Sequence, residues 1–201
     1  MPVKILNTKS RIFNTALRLF AENGYENVSV RNIADAVGIK AASIYNHYKS
    51  KEEILEDCYD FYIEHRHLTR LRKEQYEPII RGGTKAEVLN VLDYMYPDSI
   101  IEKIISSLLI IFSRIYNDAK AKEIYTDEIN SAMQYMKDFF NFGIKIGRFD
   151  NFNVSAVSLI FLSSRLYAAY STTIEPGQKG SWQKAEQEVF KELIRIIPFK
   201  Y

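Results

Sequence analysis

The sequence predicts an all-α chain, and three observations carry that prediction. Apolar residues recur at intervals of three and four along most of the length, so each segment offers one stripe for burial. Capping residues stand where the stripes begin. Only 8 Gly and 5 Pro interrupt 201 residues, which leaves room for long regular elements. No run alternates with period two, so no sheet is expected.

Phe13, Ala16, Leu17, Phe20 and Ala21 make the stripe of the first helix, and Asn23-Gly24 stops it. Ser29 caps a second, with Ile33, Ala34 and Val37 facing inward, and Gly38 breaks it. Lys40–Tyr48 reads as a third short helix on which Ile44 and Tyr48 share a face. Ser50-Lys51-Glu52-Glu53 is a capping box opening a long helix through Ile54, Leu55, Cys58 and Tyr62 to about Arg72. Arg81-Gly82-Gly83 is a break, and Thr84-Lys85-Ala86-Glu87 repeats the box before a helix ending near Tyr96-Pro97. Asp98 caps an apolar helix to about Tyr116. A longer one spans about Ala121 to Ile146 and stops at Gly147. Asn153 caps the next, to about Thr173, and a last helix covers about Ser181 to Ile197 before Pro198. Two domains are expected: three short helices in residues 1–50, then a helical body in residues 51–201 entered by the capping-box helix.

Charge is unevenly spread. Residues 1–50 hold seven basic side chains (Lys4, Lys9, Arg11, Arg18, Arg31, Lys40, Lys49) against three acidic ones (Glu22, Glu26, Asp35), while the whole chain nets only +2. A basic head on a near-neutral body suits a polyanion partner. The one cysteine, Cys58, cannot close an internal disulfide, so a reducing compartment is expected. The longest uncharged runs, Ile104–Ser113 and Val154–Ser164, are too short to span a membrane, and no apolar leader core follows the N-terminus. A soluble cytoplasmic protein is expected.

The chemistry sits in Ser29–Lys51. Two short helices meet at a turn built on Gly38, with the small Ala34 four residues earlier. A helix-turn-helix needs a small inner contact on its first helix and a left-handed turn residue, and these two residues meet those needs. Ile33, Val37, Ile39 and Ile44 supply the apolar lock, and the second helix then offers its N-terminal residues to a major groove.

The run Ala16–Tyr25, then Ser29–Gly38, then Ile44–Glu52 resembles, in order and spacing, the DNA-binding domain of the tetracycline-repressor (TetR) family, over roughly residues 8–55. The resemblance implies an N-terminal three-helix helix-turn-helix domain joined by a long helix to a C-terminal ligand-binding and dimerisation domain. It implies a homodimeric regulator, a repressor, that binds a palindromic double-stranded DNA operator and is released by a small hydrophobic effector. Arg31 resembles a position that reaches a base or phosphate. Ala41, Ala42 and Ser43 lead the recognition helix, where other members carry Gln or Arg. Base reading then falls to Arg31, Lys40, Ser43 and Asn46, with alanine methyls against thymine. Tyr45, His47 and Lys51 match phosphate-holding positions. Tyr48 reads as core, and Asn32 and Asp35 as the solvated side of their helix.

In the family the body encloses an effector pocket. Tyr62, Phe112, Met136 and Phe140 are the candidate lining, since Met and aromatic side chains suit an adaptable apolar cavity. Arg165, the only charge between Val154 and Tyr170, reads as half of an ion pair with a neighbouring helix or as a ligand anchor. The last two helices carry apolar surface beyond what self-docking needs, so Leu159, Leu162, Val189, Leu193 and Ile196 are candidate dimer-interface residues.

Catalytic and metal signals fail. Cys58 lacks a catalytic partner pattern and reads as a small core residue, and no phosphate loop or nucleophile elbow is present. His65 and His67 stand two apart, whereas helical metal pairs stand three or four apart. No enzyme activity, cofactor or metal is expected. The competing readings are a helical ligand carrier or partner-binding protein without DNA binding, and a regulator lacking an effector pocket.

Overall fold

The computed structural model describes residues 7–92, 99–174, 188, 191–192, 195 and 197–200. The chain is all-α. Its helices are α1 Thr8–Asn23, α2 Val30–Val37, α3 Ala41–Ile44, α4 Lys51–His65, α5 Lys73–Gly82, α6 Lys85–Asn90, α7 Ser99–Arg114, α8 Ala119–Lys145 and α9 Val154–Ile174, with a 3-10 turn at Arg66–Thr69. Among the described residues no helix is long and apolar enough to cross a membrane. Much of the expected last helix, including Val189, Leu193 and Ile196, lies outside the described residues.

Local chemistry explains the boundaries. Asn7 accepts from the Ser10 N–H at 2.8 Å and starts α1, which ends at Gly24 with φ 79°. At α2, Ser29 and Asn32 cap each other: the Asn32 N–H donates to Ser29 Oγ at 3.1 Å, and the Ser29 N–H to Asn32 Oδ1 at 2.8 Å. Thr84 and Glu87 repeat that reciprocal box at α6. Three expectations need correction. The helix opened at Thr84 ends at Asn90, short of Tyr96-Pro97. The long helix from Ser50 stops at His65, because no side chain between Arg66 and Gln75 is buried to reward its continuation. α5 then forms around Pro78 with no counterpart in the sequence reading. The last correction is small: α3 is shorter than Lys40–Tyr48, its end closed by the Tyr48 N–H on the Ile44 carbonyl at 3.0 Å.

Packing divides the chain into two compact units, residues 1–66 with 98–125, and residues 67–97 with 126–201. In the first, α1 packs on α2, α4 and α7, α4 on α7, and α2 on α3. Ile12, Ala16, Leu17, Phe20, Ile33, Ala34, Ile44, Tyr48, Ile54, Tyr59 and Ile111 are its buried core. α4 and α7 therefore belong to the same packed body as the three N-terminal helices.

The second unit is held by an aromatic cluster. Phe140 meets Phe139, Phe152 and Phe161 at centroid separations of 5.4, 5.3 and 5.9 Å, with Phe149 at 6.1 Å. Arg148 donates to the Ile80 and Gly83 carbonyls at the C-terminal end of α5, where a cation suits the helix dipole. No sheet forms among the described residues, but Phe149 and Phe199 pair as an isolated antiparallel bridge.

Two glycines make opposite demands. A Cβ on Gly38 would meet nothing within 4 Å, so its φ of 77° alone requires glycine. A Cβ on Gly143 would lie 2.1 Å from the Phe149 ring, itself locked in the core. Helix propensity favours Gly143→Ala by about 0.5–1 kcal/mol, yet overpacking costs about 1–3 kcal/mol. Gly143→Ala is therefore expected to lower the urea midpoint, and a raised midpoint would mean that Phe149 can move aside. Gly38→Ala is expected to cost about 1–2 kcal/mol through backbone strain, read as faster amide exchange in α2.

Candidate nucleic-acid interface

The α2–α3 corner forms because Gly38 turns left-handed. Its N–H reaches the Ala34 carbonyl at 2.9 Å, and the Ile39 N–H reaches the same oxygen at 3.0 Å. The chain then doubles back so that Ile33, Ala34, Val37 and Ile44 are all buried. Arg11 of α1 donates to the Val37 carbonyl at 2.7 Å, placing a cation at the C-terminus of α2. Sequence reasoning missed this residue, since no local pattern marks a cap 26 positions away.

That burial leaves one polar face outward. Arg31, Lys40, Ala42, Tyr45 and Asn46 are exposed, Tyr45 at 56%, while Ala41, Ser43 and His47 are half-buried. The side chains of Arg31, Lys40, Tyr45 and Asn46 make no hydrogen bond or ion pair with the described residues. Asn32 and Asp35 are also exposed. The arrangement is a short helix with cationic, amide and phenolic groups free to meet an outside partner.

Lys51 departs from the expectation. Its ammonium donates to the Tyr25 and Val28 carbonyls, both at 2.9 Å, and lies 4.0 Å from the Tyr25 ring centroid. Two of its three N–H bonds are thus spent inside the chain. As the first residue of α4 it pins the α1–α2 turn. Glu52 extends the clamp: the Tyr25 hydroxyl donates to its Oε1 at 3.1 Å. Its own backbone N–H, then the Ser50 and Tyr25 hydroxyls, hold the Glu52 carboxyl below the usual carboxylate range. Tyr48 is core, 1% exposed, its hydroxyl donating to Asp57 at 2.9 Å.

The candidate effector residues divide between the units. Tyr62, 2% exposed, and Phe112, whose ring lies 5.2 Å from that of Tyr125, belong to the first. Met136, Phe140 and Arg165 belong to the second. Phe140 is completely buried among other rings. Arg165 donates to the Leu92 carbonyl at 2.6 Å, a backbone partner that neither sequence reading named. On α9, Leu159, Ile160 and Tyr167 are exposed at 56%, 45% and 58%, whereas Leu162, at 8%, sits in the core. Successive helical residues turn by about 100°, so Ser158, Phe161 and Leu162 share the inward arc and Leu159, Ile160, Ser163 and Tyr167 the outward one. Leu162 therefore faces inward, whereas Ile160 and Tyr167 share the outward arc with Leu159.

Comparison with known proteins matches residues 12–58 to the family of bacterial regulatory proteins, tetR family. The chain is 40% identical over 60 residues to the biofilm operon icaADBC HTH-type negative transcriptional regulator IcaR of Staphylococcus epidermidis, covering 28% of this chain and 32% of IcaR. It thus spans about a third of that relative's length. Among solved structures it resembles the ketosteroid transcriptional regulator KstR2 of Mycobacterium tuberculosis, with TM-score 0.62, 20% identity and 97% of each chain covered. It also resembles a transcriptional regulator from Saccharomonospora viridis in complex with choline, with TM-score 0.56, 21% identity, 96% of this chain and 98% of the other. The two structural likenesses speak to the fold, and the sequence matches to the helix-turn-helix. Residues 12–58 of the chain thus match the amino-terminal domain of the tetracycline-repressor family of bacterial regulatory proteins.

Proposed function

We propose that the chain is a DNA-binding transcriptional regulator that works as a homodimer on a palindromic operator in the bacterial cytoplasm. The observation that carries this reading is the outward face of α2 and α3, where Arg31, Lys40, Tyr45 and Asn46 stand exposed on a rigid corner. Arg31 and Lys40 suit guanine edges or phosphates, Asn46 suits adenine, and Ala42 offers a methyl to thymine. Tyr45 and His47 have hydroxyl and ring N–H donors for phosphate oxygens.

A short recognition helix reads few base pairs, so specificity needs two copies set roughly 34–36 Å apart on the duplex. The outward apolar arc of α9 supports a two-fold contact through Leu159, Ile160 and Tyr167. Val189, Leu193 and Ile196 would extend it. Repression is supported by IcaR, a negative regulator. A small-molecule effector is supported by the choline bound in the Saccharomonospora viridis structure. Release requires only that the ligand favour the non-binding arrangement by about 3–5 kcal/mol.

Selection from random duplexes tests the reading: an enriched palindrome is expected, and no enrichment would favour a ligand carrier. Arg31→Ala is expected to cost about 1–3 kcal/mol and to relax preference at one position of each half-site; equal weakening on every sequence would make Arg31 a phosphate contact. Leu159→Glu is expected to yield monomers by light scattering and to abolish tight operator binding. A persisting dimer would move the interface off α9. Lys51→Ala is expected to destabilise the α1–α2 turn by about 1–3 kcal/mol by stripping the Tyr25 and Val28 carbonyls of their donor. A Lys51→Ala protein with unchanged urea unfolding would show that the clamp contributes nothing.

A further inference from the structure

The turn between α1 and α2 is gripped from two sides. Tyr25, 5% exposed, has the Lys51 ammonium 4.0 Å from its ring centroid and the Arg114 guanidinium carbon 4.7 Å from it. Lys51 opens α4 and Arg114 closes α7. Arg114 also pairs with the Glu26 carboxylate on the same turn, and its side chain is only 14% exposed. Beyond α7, Asp118 accepts from the Tyr59 hydroxyl of α4 at 2.9 Å. The C-terminal end of α7 is thus fastened both to the α1–α2 turn and to α4.

We propose that Arg114 is a positioning residue for DNA binding: it fixes the turn from which α2 starts, and so the presentation of α2 and α3, without touching the duplex. This inference rests on the DNA-binding reading above. Ser29, the N-cap of α2, follows Tyr25 by four residues, and the carbonyls of Tyr25 and Val28 between them are already held by Lys51. Arg114 supplies the second cation on the ring and the only ion-pair partner of Glu26 among the described residues. Its charge is committed to those two groups and to the Tyr59 hydroxyl of α4, away from the exposed α2–α3 face. Removing it leaves Glu26 unpaired and the ring gripped by Lys51 alone. The turn then samples more arrangements, of which only some present Arg31, Lys40 and Asn46 together. Binding must select among them, so affinity falls while the number of phosphates contacted stays the same.

The test measures operator affinity of the full chain at several salt concentrations for wild type, Arg114→Gln and Arg114→Lys, with amide exchange in parallel. Arg114→Gln is expected to weaken binding about tenfold with an unchanged slope of log affinity against log salt. Arg114→Lys, which keeps a cation for both Tyr25 and Glu26, is expected to recover most of the loss. Exchange is expected to quicken in residues 25–29 alone, with α4 and α7 still protected. Undiminished affinity of Arg114→Gln overturns the inference. So does a slope lower by about one unit, which marks a phosphate contact, and so does loss of protection throughout the unit, which marks a general structural role. A wild type that binds no duplex overturns the DNA-binding reading and this inference together, whereas a binding wild type with an equally tight Arg114→Gln overturns this inference alone.

Discussion

The exposed face of α2 and α3 depends on one left-handed residue. Because Gly38 adopts φ 77°, two successive N–H groups converge on the Ala34 carbonyl and the chain reverses within three residues. Ile44 can then enter the core beside Ile33 and Val37, which commits the other side of the short helix to solvent. A right-handed residue there would carry the chain onward and separate Arg31 from Asn46. α3 spans only four residues, too few to be stable alone, so its conformation is borrowed from the packing beneath it.

Electrostatics on this head is decided by neighbours rather than by count. Arg11 is spent on the Val37 carbonyl, Arg18 on Glu22 at 2.7 Å, and Lys9 on Asp57 at 3.5 Å and the Tyr48 ring. Among the described basic residues of the head, Arg31, Lys40 and Lys49 remain without such partners. Exposed pairs such as Arg18–Glu22 contribute about 0–1 kcal/mol to stability. Their effect is to concentrate the available positive charge on the α2–α3 side. Lys51, at the start of α4, gives two of its N–H groups to the Tyr25 and Val28 carbonyls.

What was legible in the sequence was local. Gly24, Ser29, Gly38, Ser50 and Thr84 announce helix ends through bonds made within three or four residues, so the end of α1, both ends of α2 and the starts of α4 and α6 could be read directly. The candidate reading residues are placed for the same reason, because Lys40, Ser43 and Asn46 follow Gly38 at fixed spacing and Arg31 follows the Ser29 cap. The early end of α4 and the presence of α5 were not, since both turn on where buried partners stop and resume in space. Likewise the apolar periodicity of α9 marks Leu159 and Leu162 alike, and only the packing around Phe161 assigns them to opposite roles. Arg114 gives no local signal at all: its partners Tyr25 and Glu26 lie almost ninety residues earlier.

The decisive question is whether the α2–α3 face is the surface that meets DNA. The most direct measurement is a nuclear magnetic resonance titration of the protein with the duplex it selects. Perturbation is expected at the Arg31 and Asn46 side chains, the Ala42 methyl and the Tyr45 ring, with the Ala34 methyl beneath them moving little. Perturbations gathered on α9 or along α8, with those four unmoved, would contradict a DNA-binding role for that face.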